Sequence, residues 1–233
     1  MRRSEVKKMA STEIHRLPLG NCNCYLLKQQ GLVLVDTGVP EQRDRFRKRL
    51  EELSITPRDI SLIVLTHGHW DHIGSAADIR DLTGGTIAIN HREKDCVEQA
   101  LKKLPPGIGP LGKVMALLTR LMAATVEFRG CAVDLTLDDA ELSLRPFGIE
   151  GRVLHTPGHT WGSMSILLDT GEAFVGDLAM SFLPLRFGSV MPLLGEDRDA
   201  VRESWRLLLD NGAAQIYPSH GNPFAAEALR KAL

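Results

Sequence analysis

Little in this chain suits it to a membrane, a nucleic acid or an oxidising compartment. Its apolar runs fall short of the roughly 20 residues that cross a bilayer. Lys and Arg number 28 against 29 Asp and Glu, a net charge of −1. No broad field therefore draws it to nucleic acid or anionic lipid. The basic start, Met1-Arg2-Arg3 to Lys7-Lys8-Met9, lacks the apolar segment of a secretory signal. Residues 1–10 are expected to be a disordered tail. The four cysteines, Cys22, Cys24, Cys96 and Cys131, fit no metal-ribbon spacing. Cys22 and Cys24 alternate along one strand, too constrained for an ordinary disulfide. They read as small buried hydrophobes in a reducing compartment, the cytoplasm. Short-period repeats and low-complexity stretches are missing too. These absences leave the expectation of a soluble cytoplasmic protein with no nucleic-acid or membrane partner.

What is present is dominated by one run. Thr66-His67-Gly68-His69-Trp70-Asp71-His72 packs three imidazoles and a carboxylate into six positions. Neutral imidazole and carboxylate are what zinc and its neighbours bind. The apolar run Ser61–Leu65 reads as a buried strand that delivers the motif to a strand end. A polar turn with clustered histidines is the bland alternative, but three unpartnered imidazoles there serve no structural purpose. His159, in Pro157-Gly158-His159-Thr160, follows the apolar Val153-Leu154; Asp177 ends Ala173–Gly176; His220 follows Gln215–Ser219. Each sits just past a strand, where loops converge on one rim. Seven candidate ligands, His67, His69, Asp71, His72, His159, Asp177 and His220, exceed one tetrahedral zinc and suit two metals sharing a bridge. The other histidines receive no ligand role. His15 reads as a surface residue, His91 as the start of a helix, and His155 as packing beneath the site.

In their order these motifs, with Asn23-Cys24-Tyr25-Leu26-Leu27 and Val35-Asp36-Thr37-Gly38 before them, resemble the metallo-β-lactamase-fold hydrolase superfamily over about residues 13 to 225. The resemblance implies an α/β (α+β) four-layer αββα sandwich with a metal pair at one edge. His67, His69 and His159 would hold the first metal, and Asp71, His72 and His220 the second, with Asp177 bridging. Asp36 would orient a ligating histidine. Two divalent ions, Zn²⁺ with Fe or Mn as alternatives, would trap a bridging hydroxide that cleaves a small ester, thioester or lactone. Asp71 would be catalytic, orienting the hydroxide and shuttling its proton.

Within the superfamily, the chain resembles the glyoxalase II-like and lactonase-like branch. The commonest zinc β-lactamases place a cysteine among the second metal's ligands, where this chain has Asp177. Glyoxalase II enzymes continue into a glutathione-binding domain, whereas thirteen residues follow His220. Lactonases often carry a tyrosine three residues after the bridging Asp, where Met180 stands. Nuclease branches add domains or a basic arm, and neither is visible. Flavodiiron proteins replace the second histidine with Glu, whereas His69 is retained. A persulfide dioxygenase with one iron, a phosphodiesterase and a non-catalytic binding protein are the alternatives. All second-site ligands are present, which speaks against the first and the last.

The remaining sequence reads as two similar halves without a linker, forming one domain over 11–233. Strands are expected near 13–18, 22–28, 31–36, 61–66 and 86–90, with helices near 41–53, 72–83 and 91–103. The second half has strands near 132–136, 142–145, 152–155, 163–169, 172–177 and 214–217, and helices near 197–210 and 223–231. Hairpin-like runs mixed with helices favour a mixed sheet pair over a doubly wound sheet. A helical insertion at 104–130 interrupts this plan. Within it Leu111, Val114, Met115, Leu118, Leu121 and Met122 recur at helical spacing, read as core packing, a substrate lid or a homodimer contact. A second apolar loop, Met180–Gly188, follows Asp177. If both overhang the metals, Met180 and Phe182 would contact an acyl chain or ring, and Arg186 would grip a carboxylate.

Overall fold

The computed structural model describes residues 11–181 and 190–233. Two six-stranded sheets carry the fold. The first follows chain order: β1 (Glu13–Leu19), β2 (Cys22–Lys28), β3 (Leu32–Val35), β4 (Ile60–Val64), β5 (Thr86–Asn90) and β6 (Leu135–Leu137). The second contains β7 (Leu142–Ser143), β8 (Gly151–His155), β9 (Met164–Leu168), β10 (Glu172–Gly176), β11 (Gln215–Pro218) and β12 (Phe224–Ala225). Helices α1 (Arg43–Glu52), α2 (Trp70–Ile73), α3 (Ala76–Thr83), α4 (Lys94–Glu98) and α5 (Gly109–Ala124) lie between strands of the first half. Helices α6 (Arg198–Asp210) and α7 (Glu227–Ala232) belong to the second. β3 to β6 are parallel, as are β10 and β11, so these strands end on one edge of their sheets.

The period of two along the strands builds the layers. Leu26 and Leu34 face Phe46, Leu50 and Ile79 of the helices. Their neighbours Tyr25, Leu27, Val33 and Val35 face the other sheet and meet Val153, Met164, Ile166 and Phe174. Leu167, Ala173 and Val175 then pack against Val201, Trp205, Leu208 and Leu229. Three apolar seams thus separate four layers, helix, sheet, sheet and helix. Strands buried on both faces read as unbroken apolar runs, which is why β3 and β4 show no alternation. Among the described residues no helix is long and apolar enough to cross a membrane.

Several elements depart from the sequence expectation. The helix expected over 72–83 is broken at Gly74-Ser75. There the Ser75 hydroxyl donates to Val39 O (2.6 Å) and accepts the Gln42 N–H (2.9 Å), tying the break to the loop after β3. The helix expected over 91–103 shrinks to α4. The Asn90 side chain accepts the Arg92 N–H (3.0 Å), turning the chain before the helix, and Ala100 at φ 51 ends it. His91 therefore precedes a helix rather than starting one. His15 is half-buried beside Glu13 rather than a surface residue. The helix expected over 223–231 yields its first residues to β12, which pairs with β11. In α5 the stripe Leu111, Val114, Met115, Leu118, Leu121 and Met122 is exposed, and only Gly112, Ala116 and Ala123 are buried. Core packing is therefore not its role.

Candidate metal centre

All the candidate ligands leave strands on one rim. β4 runs into Thr66–His72, β8 leads to His159, β10 to Asp177 and β11 to His220. Backbone bonds join the rim across the sheets. Met164 N–H donates to Thr66 O (2.8 Å) and Asn23 N–H to Ser219 O (2.8 Å). Gly176 at φ +55 lets β10 approach the motif, since a β-carbon there would lie 2.6 Å from Thr66 Oγ1. Helix α6 pins the two loops beyond. Ser204 Oγ–H donates to Pro157 O (2.7 Å), and Trp205 Nε1–H to Leu178 O (3.0 Å).

Two constellations result. His67 Nε2, His69 Nδ1 and His159 Nε2 stand 2.8 to 3.2 Å from one another, and Asp177 Oδ2 is 3.6 Å from His159 Nε2. Asp177 Oδ1 lies 3.4 Å from His72 Nε2 and 3.4 Å from His220 Nε2, which is also 3.4 Å from Asp71 Oδ2. Ligand atoms around a tetrahedral ion with bonds of about 2.0–2.1 Å stand about 3.3 Å apart. The donor separations of 2.8 to 3.6 Å thus lie close to the spacing around such an ion. His72 Nε2 and Asp177 Oδ1 supply the test of fit, because both are buried with no hydrogen-bond partner. Such orphans are costly, and a cation between them would satisfy both.

The outer nitrogens fix which atom faces inward. His72 Nδ1–H donates to Asp36 Oδ2 (2.8 Å), His159 Nδ1–H to Leu194 O (2.9 Å) and His220 Nδ1–H to Asn21 O (3.1 Å). His67 Nδ1–H reaches Thr66 Oγ1 (3.1 Å), whose own proton goes to Asp36 Oδ2 (2.9 Å). Asp36 thus steers one histidine of each constellation, one directly and one through Thr66.

The constellations differ electrostatically. Burial, with the neighbouring histidines, holds His67 well below the ordinary imidazole range and His69 at about 3, and burial lowers His159. All three present neutral nitrogens at neutral pH. Burial also opposes charge on His72 and His220, but there it loses. Cys22, Asp177, Asp36 and Asp71 hold His72 well above its usual value, and Asp177 and Asp71 raise His220 to about 9. Burial would raise Asp71, yet His72 and His220 bring it down to about 2.

A cleft of about 780 Å³ opens onto the centre, with His69, Asp71, Asp177 and His220 in its lining. Leu104, Leu111, Met115 and Met122 give it an apolar wall, and Arg16, Asn23 and Asn222 contribute polar groups. Met180 is also in its lining. Phe182 and Arg186 lie outside the described residues, as does the tail expected at 1–10. His155 Nε2–H donates to Trp161 O (2.8 Å), and its Nδ1 lies 3.5 Å from Asp139 Oδ1. Sequence reasoning missed Thr66 as a relay, Glu93, which accepts the Gly68 N–H (3.0 Å), and Arg16. Only the place of Thr66 directly before the motif could have flagged one of them.

Four αββα layers carrying a histidine and aspartate centre on one rim define a class, the metallo-hydrolases. The family model described as the metallo-beta-lactamase superfamily matches residues 17–220, and the chain belongs to that superfamily. An uncharacterized protein of Mycobacterium leprae is 30% identical over 216 residues, covering 90% of this chain and 91% of its own length. A probable metallo-hydrolase of Methanocaldococcus jannaschii is 25% identical over 203 residues, covering 85% and 87%. Among solved structures, a B3 metallo-beta-lactamase has a TM-score of 0.72 at 22% identity, covering 94% of this chain and 97% of that one, a likeness of fold.

Proposed function

We propose that the protein is a hydrolase with two divalent metal ions, zinc by its nitrogen and oxygen donors, that cleaves a small ester, thioester or lactone. The observation that carries this reading is the division of Asp177. One oxygen faces His159 and the other faces His72 and His220, the arrangement of a bridging carboxylate. Bound there, a metal pair would supply Lewis-acid polarisation of a carbonyl and activation of water near neutral pH.

The chain's own residues do the rest. His67, His69 and His159 offer the first ion neutral nitrogens, and Asp71, His72 and His220 the second its donors. Asp71, ionised at neutral pH and in the cleft lining, orients the attacking water by accepting its hydrogen bond at the carboxylate. The wall formed by Leu111, Met115 and Met122 receives the apolar part of the substrate and keeps water from it. All four cysteines are free, which supports a reducing compartment such as the cytoplasm.

Metal analysis beside a panel of thioesters, lactones and phosphodiesters tests the reading. Two ions per chain and turnover of a thioester or lactone are expected. One iron per chain with oxygen consumption on glutathione persulfide would make it a dioxygenase instead. Turnover confined to phosphodiesters would move it to the nuclease-like branch.

A further inference from the structure

Arg16 on β1 is the only lysine or arginine lining the cleft among the described residues. Its guanidinium is held in place by neutral groups. Nε–H donates to Asn23 Oδ1 (2.8 Å) and Nη1–H to Asn222 Oδ1 (3.0 Å). Both asparagines are themselves fixed. Asn23 is 6% exposed and donates from Nδ2 to Gly221 O (2.8 Å), and the Asn222 N–H donates to Ser181 Oγ (2.7 Å). Asn222 lies two residues beyond His220, so the clamp is continuous with the loop that carries a candidate ligand.

The contrast with other arginines is chemical. Arg80, Arg92, Arg129 and Arg145 pair with carboxylates. Arg16 pairs with none among the described residues. Asparagine oxygens orient a guanidinium without neutralising it, and they engage only two of its five N–H donors. A full charge with three free donors is thus left at the cleft, with much of its rotamer freedom already removed. Ordering an arginine otherwise costs rotamer entropy, so a clamped one binds a planar anion at a lower entropic cost.

We infer that Arg16 anchors a carboxylate on the substrate. The substrate class is then an ester or thioester with an apolar stretch between its scissile carbonyl and a terminal carboxylate. The apolar stretch lies against α5 and the carboxylate meets the fork of Arg16. This deepens the hydrolase reading and rests on it.

Thioesters of N-acetylcysteamine in matched pairs, hexanoyl against adipoyl and the corresponding pairs from four to eight carbons, differ only in a terminal carboxylate. The metal-loaded protein should favour the carboxylated member at its best length at least tenfold in kcat/KM. Arg16→Ala should cut that preference at least tenfold, and Arg16→Lys, which keeps the charge but not the fork, should recover part of it. Thermal melting confirms that the variants fold. No preference at any length, or a preference that survives Arg16→Ala, overturns the anchor. Should no thioester turn over, calorimetric titration with adipate and hexanoate separates the two readings. Adipate binding at least tenfold tighter than hexanoate in the wild type, and not in Arg16→Ala, keeps the anchor and removes the thioester as the bond cleaved. Equal binding removes the anchor as well.

Discussion

At φ 60, Asp36 holds a left-handed backbone that costs a non-glycine residue about 1 kcal/mol. In exchange its carboxylate accepts from Thr66 N–H, Thr66 Oγ1–H, His72 Nδ1–H and, at 3.4 Å, Ser219 Oγ–H. Asp36→Ala removes the orienting partner of His72. It should weaken binding of the second metal about 10- to 100-fold, read by competition with a chromogenic chelator. The pH dependence of loading has a definite sign. With no ion bound, His220 titrates at about 9 and His72 well above its usual range, so below pH 9 an incoming ion must displace protons. Affinity at that constellation should fall as pH falls. The site of His67, His69 and His159, already neutral, should hold its ion to lower pH. Calorimetry in two buffers of different ionisation enthalpy should record proton release for one ion and much less for the other. The candidate donors were legible in the sequence because imidazole and carboxylate at strand ends have few other uses. Arg16 was not, since Asn222, one of its partners, stands 206 residues away.

Among the elements, α6 governs the rim from outside. Asp197 caps it, accepting the Asp199 and Ala200 N–H groups at 2.8 and 2.9 Å. Val201 closes on Gly158, where φ is +129 and a β-carbon would lie 2.4 Å from Val201 N. Gly158→Ala should therefore destabilise the fold by about 1–3 kcal/mol, read as a lower urea midpoint, and should loosen His159. Helix α5 should behave in the opposite way. Its cleft-lining residues Met115 and Met122 are exposed, so Met115→Ala with Met122→Ala should leave the melting temperature nearly unchanged. The same pair should raise KM for apolar acyl substrates several-fold, at about 1 kcal/mol per lost contact. Existence and type of most elements were readable from period and punctuation. The ends were not. What shortened the helix expected over 91–103 was an Asn90 turn and a left-handed Ala100, local geometry that apolar spacing does not encode. The apolar face of α5 misled for a related reason, since spacing reports which residues share a side and not what covers it.

For the molecule as a whole, the candidate donors divide between the sheets. His67, His69, Asp71 and His72 follow the first, and His159, Asp177 and His220 belong to the second. Bound metal should therefore cross-link the layers. An ion present at 1,000 times its dissociation constant contributes about 4 kcal/mol to stability. For a chain of this size, stripping it with a chelator should lower Tm by about 10 °C in a calorimetric scan. The layered architecture was legible because continuous apolar runs and hairpin-like pairs point to buried, mixed sheets. The placement of α5 at the mouth of the cleft was not, being set by contacts such as Ile108 N–H to Leu193 O (2.7 Å) with a distant loop. The exposed turn 138–141 between β6 and β7 separates the two donor sets along the chain as cleanly as the sheets separate them in space. Cleaved there, the protein would become two fragments of four and three donors, each baring its half of the seam between the sheets. Bound metal would favour their reassembly, because the candidate donors lie on both fragments.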